Sequence, residues 1–363
     1  MKTSILGLIA AAAVAFAAAA TAADVPPAAR ALLDTAKAER TLRLTWGGST
    51  LGGAEGARRF EAGFNKHYGL SVKFDFTPGL SFPALANKLG EEHAAGHKAF
   101  TDIALAGIGQ TSFYTARDIL MPVDWASLAP HIDAETLKVM VSPASTLISF
   151  VGRATTIVYN TNFVKPADAP KRLSDLLDPK WKGRIASTPY AAGFGPLAGH
   201  PDWNSEKVID FARKLSANVG GLIRCGEVER MTSGEFWLFA IECEPGIVRL
   251  TMERGAPLGQ NIPLDMLQID HWWFGVPKHA QSPTLAKLFV AWVLTPDGQA
   301  VLLKNQGEDL NYLPGSQSAK ALEAASKEAG KPLDDMHIHK LLAQKDRDQV
   351  VAAVSKIFRE ARH

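Results

Sequence analysis

Residues 157–186 read IVYNTNFVKPADAPKRLSDLLDPKWKGRIA. The run begins at the end of a predicted strand region, Ser149–Tyr159, continues through a short helix at Ser174–Leu177 and closes with a strand at Gly183–Ser187. A strand, a helix and a second strand in succession are typical of an α/β fold with a parallel sheet. We therefore expect α/β architecture in the middle of the chain.

The same alternation continues toward the N-terminus. Strands are predicted at Thr41–Trp46, Ser71–Phe76 and Thr101–Ala106. The helix between the first two strands has apolar residues at helical spacing on one face, namely Ala57, Phe60, Phe64 and Tyr68. Another helix, Phe82–Ala95, precedes the third strand. This half of the chain therefore reads as a first α/β unit.

A second unit follows Pro143 and includes the segment quoted above. Further strands are predicted at Phe236–Cys243 and Ile269–Val276. Helices are predicted at Lys207–Leu215, Ser282–Leu294 and Asp346–Arg359. We find no Gly/Ser linker between the two units, so ordinary strands are expected to join them.

The quoted segment resembles the "YNT … P … DLLDPKWKGKIA" stretch of extracellular solute-binding proteins of ABC importers, in the ferric-iron-type and related branch. Ser233-Gly234-Glu235, Ala286-Lys287-Leu288-Phe289 and Leu294–Gln299 fit the same pattern. The resemblance implies the type II periplasmic-binding-protein fold: two α/β lobes joined by crossover strands, with a ligand cleft between them. We expect the crossovers near Phe150 and His271.

Domain boundaries follow from this resemblance. Residues 24–150 and 272–325 are predicted to form lobe 1, and residues 151–271 lobe 2. Residues 326–363 are predicted to be a C-terminal helical segment that packs on the lobes.

The first 23 residues read as a secretory signal peptide. Lys2 precedes an apolar run, Ile5–Ala20, which is shorter than the roughly 20 residues of a membrane span and ends in small residues. No cysteine follows the run, so no lipid attachment is expected there. The prediction is a protein free in the periplasm.

The charge balance and the cysteine count narrow the possible functions. The chain has 39 Lys plus Arg against 37 Asp plus Glu, and no basic block that would indicate nucleic-acid binding. Its two cysteines, Cys225 and Cys243, would form one disulfide in an oxidising compartment. A metal or redox pair is the competing interpretation, but the spacing is far from C-x-x-C.

Candidate ligand-binding residues lie where predicted strands end, because ligands of open α/β sheets bind outside the carboxyl ends of the strands. Glycines and hydroxyls at such positions offer backbone N–H groups and hydrogen bonds to an anion. Tyrosine adds a stacking face and a hydroxyl. The loop candidates are Gly48, Ser49, Thr50, Gly107, Gly109, Gln110, Thr188, Tyr190 and Gly193. Ordinary turns and loop packing are the alternative for each.

Trp46 and Trp272 are expected as apolar walls of the cleft, with core packing as the alternative interpretation. Asp265 or Glu244 could meet a cationic group. No cofactor, protein-bound metal or catalytic residue is predicted.

Free ferric iron is an alternative ligand. Ferric-binding members of the resembled branch commonly hold the metal with tandem tyrosines, a histidine and a glutamate. Here the strand after Glu235 leads to Glu242-Cys243-Glu244, and Thr50 and Gly107 stand near the expected histidine and glutamate. These departures favour a small polar or anionic solute, such as a carboxylate, a phosphate ester or a phosphonate.

Two other functional classes remain open. A periplasmic hydrolase would need a nucleophile beside a base, and the chain has no G-x-S-x-G elbow. A sensor role would use the same fold with a different partner. The preferred interpretation is a monomeric, non-enzymatic binding protein that delivers a small-molecule ligand to an ABC-transporter permease in the inner membrane.

Overall fold

A computed structural model describes residues 25–79, 81–343 and 346–361, so the predicted signal peptide lies outside the described residues. The strands are β1 (Thr41–Gly47), β2 (Lys73–Gly79), β3 (Ala104–Ala106), β4 (Leu147–Ala154), β5 (Thr156–Asn160), β6 (Ile185–Ser187), β7 (Val219–Leu222), β8 (Leu238–Glu242), β9 (Leu258–Asn261), β10 (Gln268–Gly275) and β11 (Asp334–Asp335).

The α-helices are α1 (Pro27–Arg30), α2 (Leu33–Glu39), α3 (Gly53–Tyr68), α4 (Phe82–Ala94), α5 (Ile108–Ala116), α6 (Trp125–Leu128), α7 (Ala134–Met140), α8 (Phe194–Leu197), α9 (Ser205–Ser216), α10 (Glu229–Thr232), α11 (Pro245–Glu253), α12 (Pro283–Val293), α13 (Pro296–Gln306), α14 (Gln317–Ala329), α15 (Ile338–Ala343) and α16 (Arg347–Glu360). Short 3₁₀ helices occupy Thr50–Gly52, Pro166–Asp168, Leu173–Leu177 and Pro179–Trp181.

The first lobe is built on two small sheets. Strands β1 and β2 pair in parallel, as the sequence predicts. Strand β10 pairs antiparallel with β3 and β4 and parallel with β11. The predicted parallel pairing therefore holds for β1 and β2 but does not extend to β3 and β4, because β4 and β10 run side by side in opposite directions where the chain passes between the lobes.

The second lobe has one five-stranded sheet in the order β7-β6-β8-β5-β9. Strand β6 is parallel to β7 and β8, whereas β5 is antiparallel to β8 and β9. The carboxyl ends of β6, β7 and β8 share one edge of this sheet because these three strands run in the same direction.

Two crossovers join the lobes. Thr155 alone separates β4 in the first lobe from β5 in the second, and residues 262–267 lead from β9 back to β10. Both lie a few residues from the predicted crossovers near Phe150 and His271. The two-lobed α/β fold is confirmed, and the domain boundaries given above stay a prediction.

Each lobe has its own apolar core. In the first, α3 packs Phe60 and Phe64 against Trp292 of α12, with ring centroids 6.0 and 6.1 Å apart. In the second, Phe194 of α8 contacts Phe358 of α16 at 5.5 Å, which fixes the C-terminal helix to this lobe. Over the described ranges, none of the helices has the length and apolar character needed to cross a membrane.

Candidate functional site

Arg153 is a buried cation at the end of β4, two residues before the chain enters the second lobe. The residue is only 7% exposed. Its Nε lies 3.5 Å from Oδ1 of Asp270 on the paired strand β10, and its guanidinium lies 4.2 Å from the centre of the Trp272 ring. Because a buried charge is costly unless it is paired, this arrangement holds a positive group at the junction of the lobes.

Trp272 connects this cation to the loops of the first lobe. Its ring makes an edge contact with Phe82 of α4 at 5.2 Å. A Cβ added at Gly107 would lie 3.4 Å from the Phe82 ring, so Phe82 also lies against Gly107, just before α5 begins. The Oε1 of Gln110 accepts a hydrogen bond from the Gly107 N–H at 3.2 Å. The structure thus brings together Gly107, Gln110 and Trp272.

The Cys225–Cys243 disulfide is present and links the segments that follow β7 and β8, which confirms the predicted pairing. The backbone N–H of Cys225 donates to the Tyr190 hydroxyl at 2.8 Å. Tyr190 is otherwise 44% exposed, one of the most exposed large aromatics of the described chain. Tyr190 and the disulfide therefore lie together at the edge of the second lobe's sheet where β6, β7 and β8 end, and their place in the ligand cleft stays a prediction.

Two glutamates complete this edge. The Gly226 N–H donates to both carboxylate oxygens of Glu242, at 3.0 and 3.1 Å, and the Glu244 N–H donates to Oε1 at 2.7 Å. Burial raises the pKa of Glu242 to about 8 despite these hydrogen bonds. Burial also raises the pKa of Glu244, and the charge of Arg153 opposes both shifts. The guanidinium is thus electrostatically coupled to the opposite lobe.

The loop after β1, with Gly48, Ser49 and Thr50, also lies near the second lobe. The N–H of the next residue, Leu51, donates to Oε1 of Gln306 at 2.9 Å. The backbone of Gln306 is in turn in close contact with Gly246, because a Cβ added at Gly246 would lie 2.2 Å from the Gln306 carbonyl oxygen. Gly48 and Ser49 are exposed.

Two strained backbone positions occur in these loops. Among the described residues, five non-glycine residues have positive φ, and Leu51 and Ala191 are two of them, each at 52°. Leu51 follows the Gly48–Thr50 loop and Ala191 follows Tyr190. Since such strain persists only where the surroundings impose it and is concentrated at functional sites, it supports a role for both loops.

Trp46 and Asp265 take other roles in this structure. Trp46 is fully buried in the first core and packs on Phe60 and Phe76, at 6.5 and 5.5 Å, so it is not a cleft wall. The Asp265 carboxylate accepts hydrogen bonds from the N–H groups of Leu173 (2.7 Å) and Ser174 (3.2 Å). Asp265 therefore caps a 3₁₀ helix, a use that its position in the sequence did not indicate.

The remaining predicted residues shape their loops. Thr188 is buried and its Oγ1 accepts a hydrogen bond from the Ala192 N–H at 3.0 Å. Gly193 has φ of 75°, and a Cβ there would lie 2.4 Å from Cγ2 of Ile241. Gly109 is exposed on the first turn of α5, with open space around it. Their contact with a ligand stays a prediction.

One cluster of potential metal ligands occurs in the described part of the chain, formed by Cys225, Glu242 and Cys243. Both sulfurs are bonded to each other, so neither is a thiolate ligand. The cluster therefore does not fit a resident metal ion while the disulfide is intact.

Sequence reasoning missed Arg153, Asp270 and Phe82. A signal was present, since Arg153 is the only charged residue in the apolar run from Leu147 to Ala154, and a charge inside a buried strand needs a partner. Asp270 lies in the partner strand, but the register that places it beside Arg153 is set by the tertiary structure and cannot be read from the sequence.

Comparison with known families identifies the class of protein. Residues 59–332 match the family described as "Bacterial extracellular solute-binding protein". This match covers well over half of the chain, so the chain belongs to that family. The predicted family and the solute-binding function that it implies are confirmed.

Individual relatives are distant. An "Uncharacterized protein" of Haemophilus influenzae is 28% identical over 163 residues, covering 42% of this chain and 45% of that protein, so the chain spans less than half of its length. The "Fe(3+)-binding periplasmic protein" of Serratia marcescens is 26% identical over 255 residues, covering 64% and 71% of the two chains. The crystal structure of a substrate-binding protein of an ABC transporter from Agrobacterium tumefaciens superposes with a TM-score of 0.71 at 15% identity, covering 90% and 97%. This last likeness shows the fold.

Proposed function

We propose that this protein is the substrate-binding component of an ABC-type importer and captures a small polar or anionic solute between its lobes. The observation that carries the proposal is the buried Arg153 guanidinium, held on Trp272 at the crossover of a chain from the solute-binding family. A preoriented cation binds an anionic group with little reorganisation, and closure of two lobes around it removes the ligand from water.

A helix N-terminus favours the same class of ligand. Helix α5 begins beside Gly107 on the first lobe. Helix N-termini carry partial positive charge and unpaired N–H groups, which stabilise anions. Together with Arg153, it offers a second positive group on the first lobe, so a carboxylate, phosphate ester or phosphonate fits better than a cation.

Ferric iron is the second candidate, because the Serratia relative is named as an Fe(3+)-binding protein. Iron would need phenolate or carboxylate oxygens. Tyr190 is the tyrosine at the cleft edge, and its partial burial raises the pKa of its phenol, which opposes phenolate formation. The geometry therefore favours the organic or oxyanion solute.

The cellular role is part of the proposal. The protein is proposed to be free in the periplasm after removal of residues 1–23, without a lipid anchor, and to act as a monomer. Its partner would be the permease of the importer in the inner membrane. Transport returns the solute unchanged, so no enzymatic turnover is expected; a hydrolase would convert it.

The test is thermal unfolding of the mature protein with a solute panel: carboxylates, phosphate esters, phosphonates, sugars, polyamines and Fe(III)-citrate. Ligand at a thousand times its Kd adds about 4 kcal/mol of stability, enough for a shift of several degrees. The Arg153→Lys variant, which keeps the charge but loses the planar fork, should weaken binding of the solute at least about tenfold. Arg213→Lys on the exposed surface of α9 is the control.

Three results would contradict the proposal. A shift with Fe(III)-citrate alone would favour the iron-binding function. A solute recovered chemically altered after incubation would indicate an enzyme. A solute whose affinity is the same in the wild type and in Arg153→Lys would place its site away from the crossover.

A further inference from the structure

Three histidines of the first lobe lie around one small cavity. His93 is in the last turn of α4, His97 follows that helix, and His279 follows β10. All three line a cavity of about 10 Å³, together with Glu92. A volume of that size suits a single ion or water molecule and excludes an organic solute.

The end of α4 determines where two of these histidines begin. Gly96, with φ of 66°, closes the helix in a Schellman motif. Its N–H donates to the His93 carbonyl at 3.1 Å, and the His97 N–H donates to the Glu92 carbonyl at 2.9 Å. The motif therefore brings His97 back over the last turn of the helix, beside His93.

The third histidine comes from the turn after β10. Its carbonyl oxygen accepts a hydrogen bond from the Ala99 N–H at 2.9 Å, and the N–H of the preceding Lys278 donates to the Ile119 carbonyl at 3.0 Å. These bonds hold His279 against α4, with its ring centroid 5.2 Å from that of His93. Two imidazoles on one tetrahedral zinc ion have ring centres about 5 Å apart, because each Zn–N bond is about 2 Å long.

The imidazole nitrogens around this cavity make no hydrogen bond to the described residues. In His93, Nδ1 is buried but Nε2 has accessible surface, so Nε2 is the nitrogen that an ion can reach. Another close pair, His337 and His339, differs. Its rings are 5.9 Å apart, but Nε2 of His339 already bonds to the carbonyls of Lys138 and Val141, at 2.9 and 3.0 Å.

A side-chain rotation completes the arrangement. At least one pair of nitrogens among the three histidines is more than 4.8 Å apart, farther than two ligands of one ion. His97 and His279 are exposed, so their rings can turn about χ1 and χ2 without disturbing the core. The Glu92 carboxylate in the same wall adds negative charge beside a bound cation.

The three histidines are separate from the solute cleft. Gly275, the last residue of β10, pairs with Ala104, the first residue of β3. His279 therefore lies beyond the amino end of β3, whereas Gly107 follows the carboxyl end of that strand. An ion at the histidines and a solute in the cleft would contact different side chains.

We propose that His93, His97 and His279 form a binding site for a divalent transition-metal ion, for which Zn²⁺ is the probe. Imidazole is a preferred ligand of Zn²⁺, Ni²⁺ and Cu²⁺, whereas Mg²⁺ and Ca²⁺ prefer oxygen. Three imidazoles leave a fourth position to water. The ion would join the end of α4 to the turn after β10 and so stabilise the first lobe. The proposal goes beyond solute capture and does not depend on the identity of the solute.

Calorimetric titration of the mature protein, prepared without a histidine tag and freed of metal by a chelator, tests the proposal. We expect saturable one-to-one binding of Zn²⁺, with a Kd of about 10 µM or below, and none of Mg²⁺. His97→Gln and His279→Gln should each weaken zinc binding at least about tenfold. Both positions are exposed, so neither substitution should change the thermal midpoint of unfolding in the absence of metal.

His339→Gln is the matched control, because it removes one member of the other close histidine pair and keeps a hydrogen-bond donor. It should bind zinc within about twofold of the wild type. Zinc affinity that is unchanged in either His97→Gln or His279→Gln would overturn the three-histidine site, as would an equal loss in His339→Gln. The absence of heat up to about 100 µM zinc, ten times a ~10 µM Kd, would also overturn it.

Discussion

The guanidinium of Arg153 lies over the ring of Trp272, 4.2 Å from its centre, although the two residues belong to different crossover strands. Strands β4 and β10 are neighbours, with Trp272 opposite Val151 in the ladder. The contact therefore ties the strand that leaves the first lobe to the strand that returns to it. A cation held there is positioned by both crossovers at once.

Trp272→Leu should weaken both the fold and the binding of the solute. The substitution removes the contact with Arg153 and the edge contact with Phe82, and it leaves space in a buried site. We expect a loss of about 3 kcal/mol in the free energy of unfolding, measured with urea, and a ligand-induced thermal shift that is reduced or absent.

Trp237 offers a matched control. It stacks on Phe163 at 5.1 Å and has the Arg184 guanidinium 4.6 Å from its ring, so the local chemistry resembles that of Trp272. Trp237→Leu should retain the full ligand-induced shift. An equal loss of shift in both variants would show that the effect is general destabilisation.

Glu242→Gln should remove a pH dependence of stability. The folded pKa of about 8 lies above the ordinary value of 4.5, so the folded state holds a proton that the unfolded state has lost between these pH values. Stability from this group is complete below pH 4.5 and is lost as pH rises toward 8, by about 1.4 kcal/mol per pH unit.

The measurement is the free energy of unfolding between pH 5.5 and 8.5, where the wild type should decline and Glu242→Gln should decline less. The amide still accepts hydrogen bonds from Gly226 and Glu244, so the fold should survive. Parallel curves for the two proteins would refute the attribution of this pH dependence to Glu242. Glu235→Gln, on an exposed carboxylate, is the control.

Most of the secondary structure followed from the sequence because periodicity reports burial directly. The face Ala57, Phe60, Phe64 and Tyr68 of α3 is buried as predicted. The direction of strand pairing did not follow, because it depends on which lobe a strand enters. β10 could only be placed antiparallel to β3 and β4 once the crossovers were known.

The candidate site was less predictable than the fold. Loops at strand ends could be chosen in advance, which selected Gly107 and Tyr190, whose contact with a ligand stays a prediction. Trp46 shows the limit, because an aromatic at the end of a strand can turn toward the core or the cleft, and alternation alone does not decide. Arg153 was missed because the role of a buried charge depends on the residues that it contacts. Its partners here, Asp270 and Trp272, are distant in sequence.

Replacing Cys225 and Cys243 by serine should loosen the second lobe's edge of the cleft. The disulfide closes a loop with a sequence separation of 18, and its loss should cost about 3 kcal/mol on the chain-entropy model. Because Cys225 N–H holds the Tyr190 hydroxyl, the affinity for the solute should also fall. The wild type in reducing agent should behave like the double variant, and the double variant should not respond to reductant.

Gly246→Ala should hold the lobes apart. A Cβ at this position would lie 2.2 Å from the Gln306 carbonyl oxygen and 2.6 Å from Cγ of Glu308, and backbone cannot yield as a flexible side chain can. The start of α11 would have to move away from the end of α13, where the second lobe approaches the loop that follows β1. We expect a larger radius of gyration by small-angle X-ray scattering and a weaker affinity for the solute.

For the free energy of unfolding, the comparison is with Gly109→Ala, an exposed helix position with open space around it, where alanine should stabilise the helix by about 0.5–1 kcal/mol. Overpacking at Gly246 should instead destabilise by about 1–3 kcal/mol. If Gly246→Ala matches the wild type in radius of gyration and in affinity, the contact between α11 and α13 does not limit closure. In that case other contacts between the lobes set the closed arrangement.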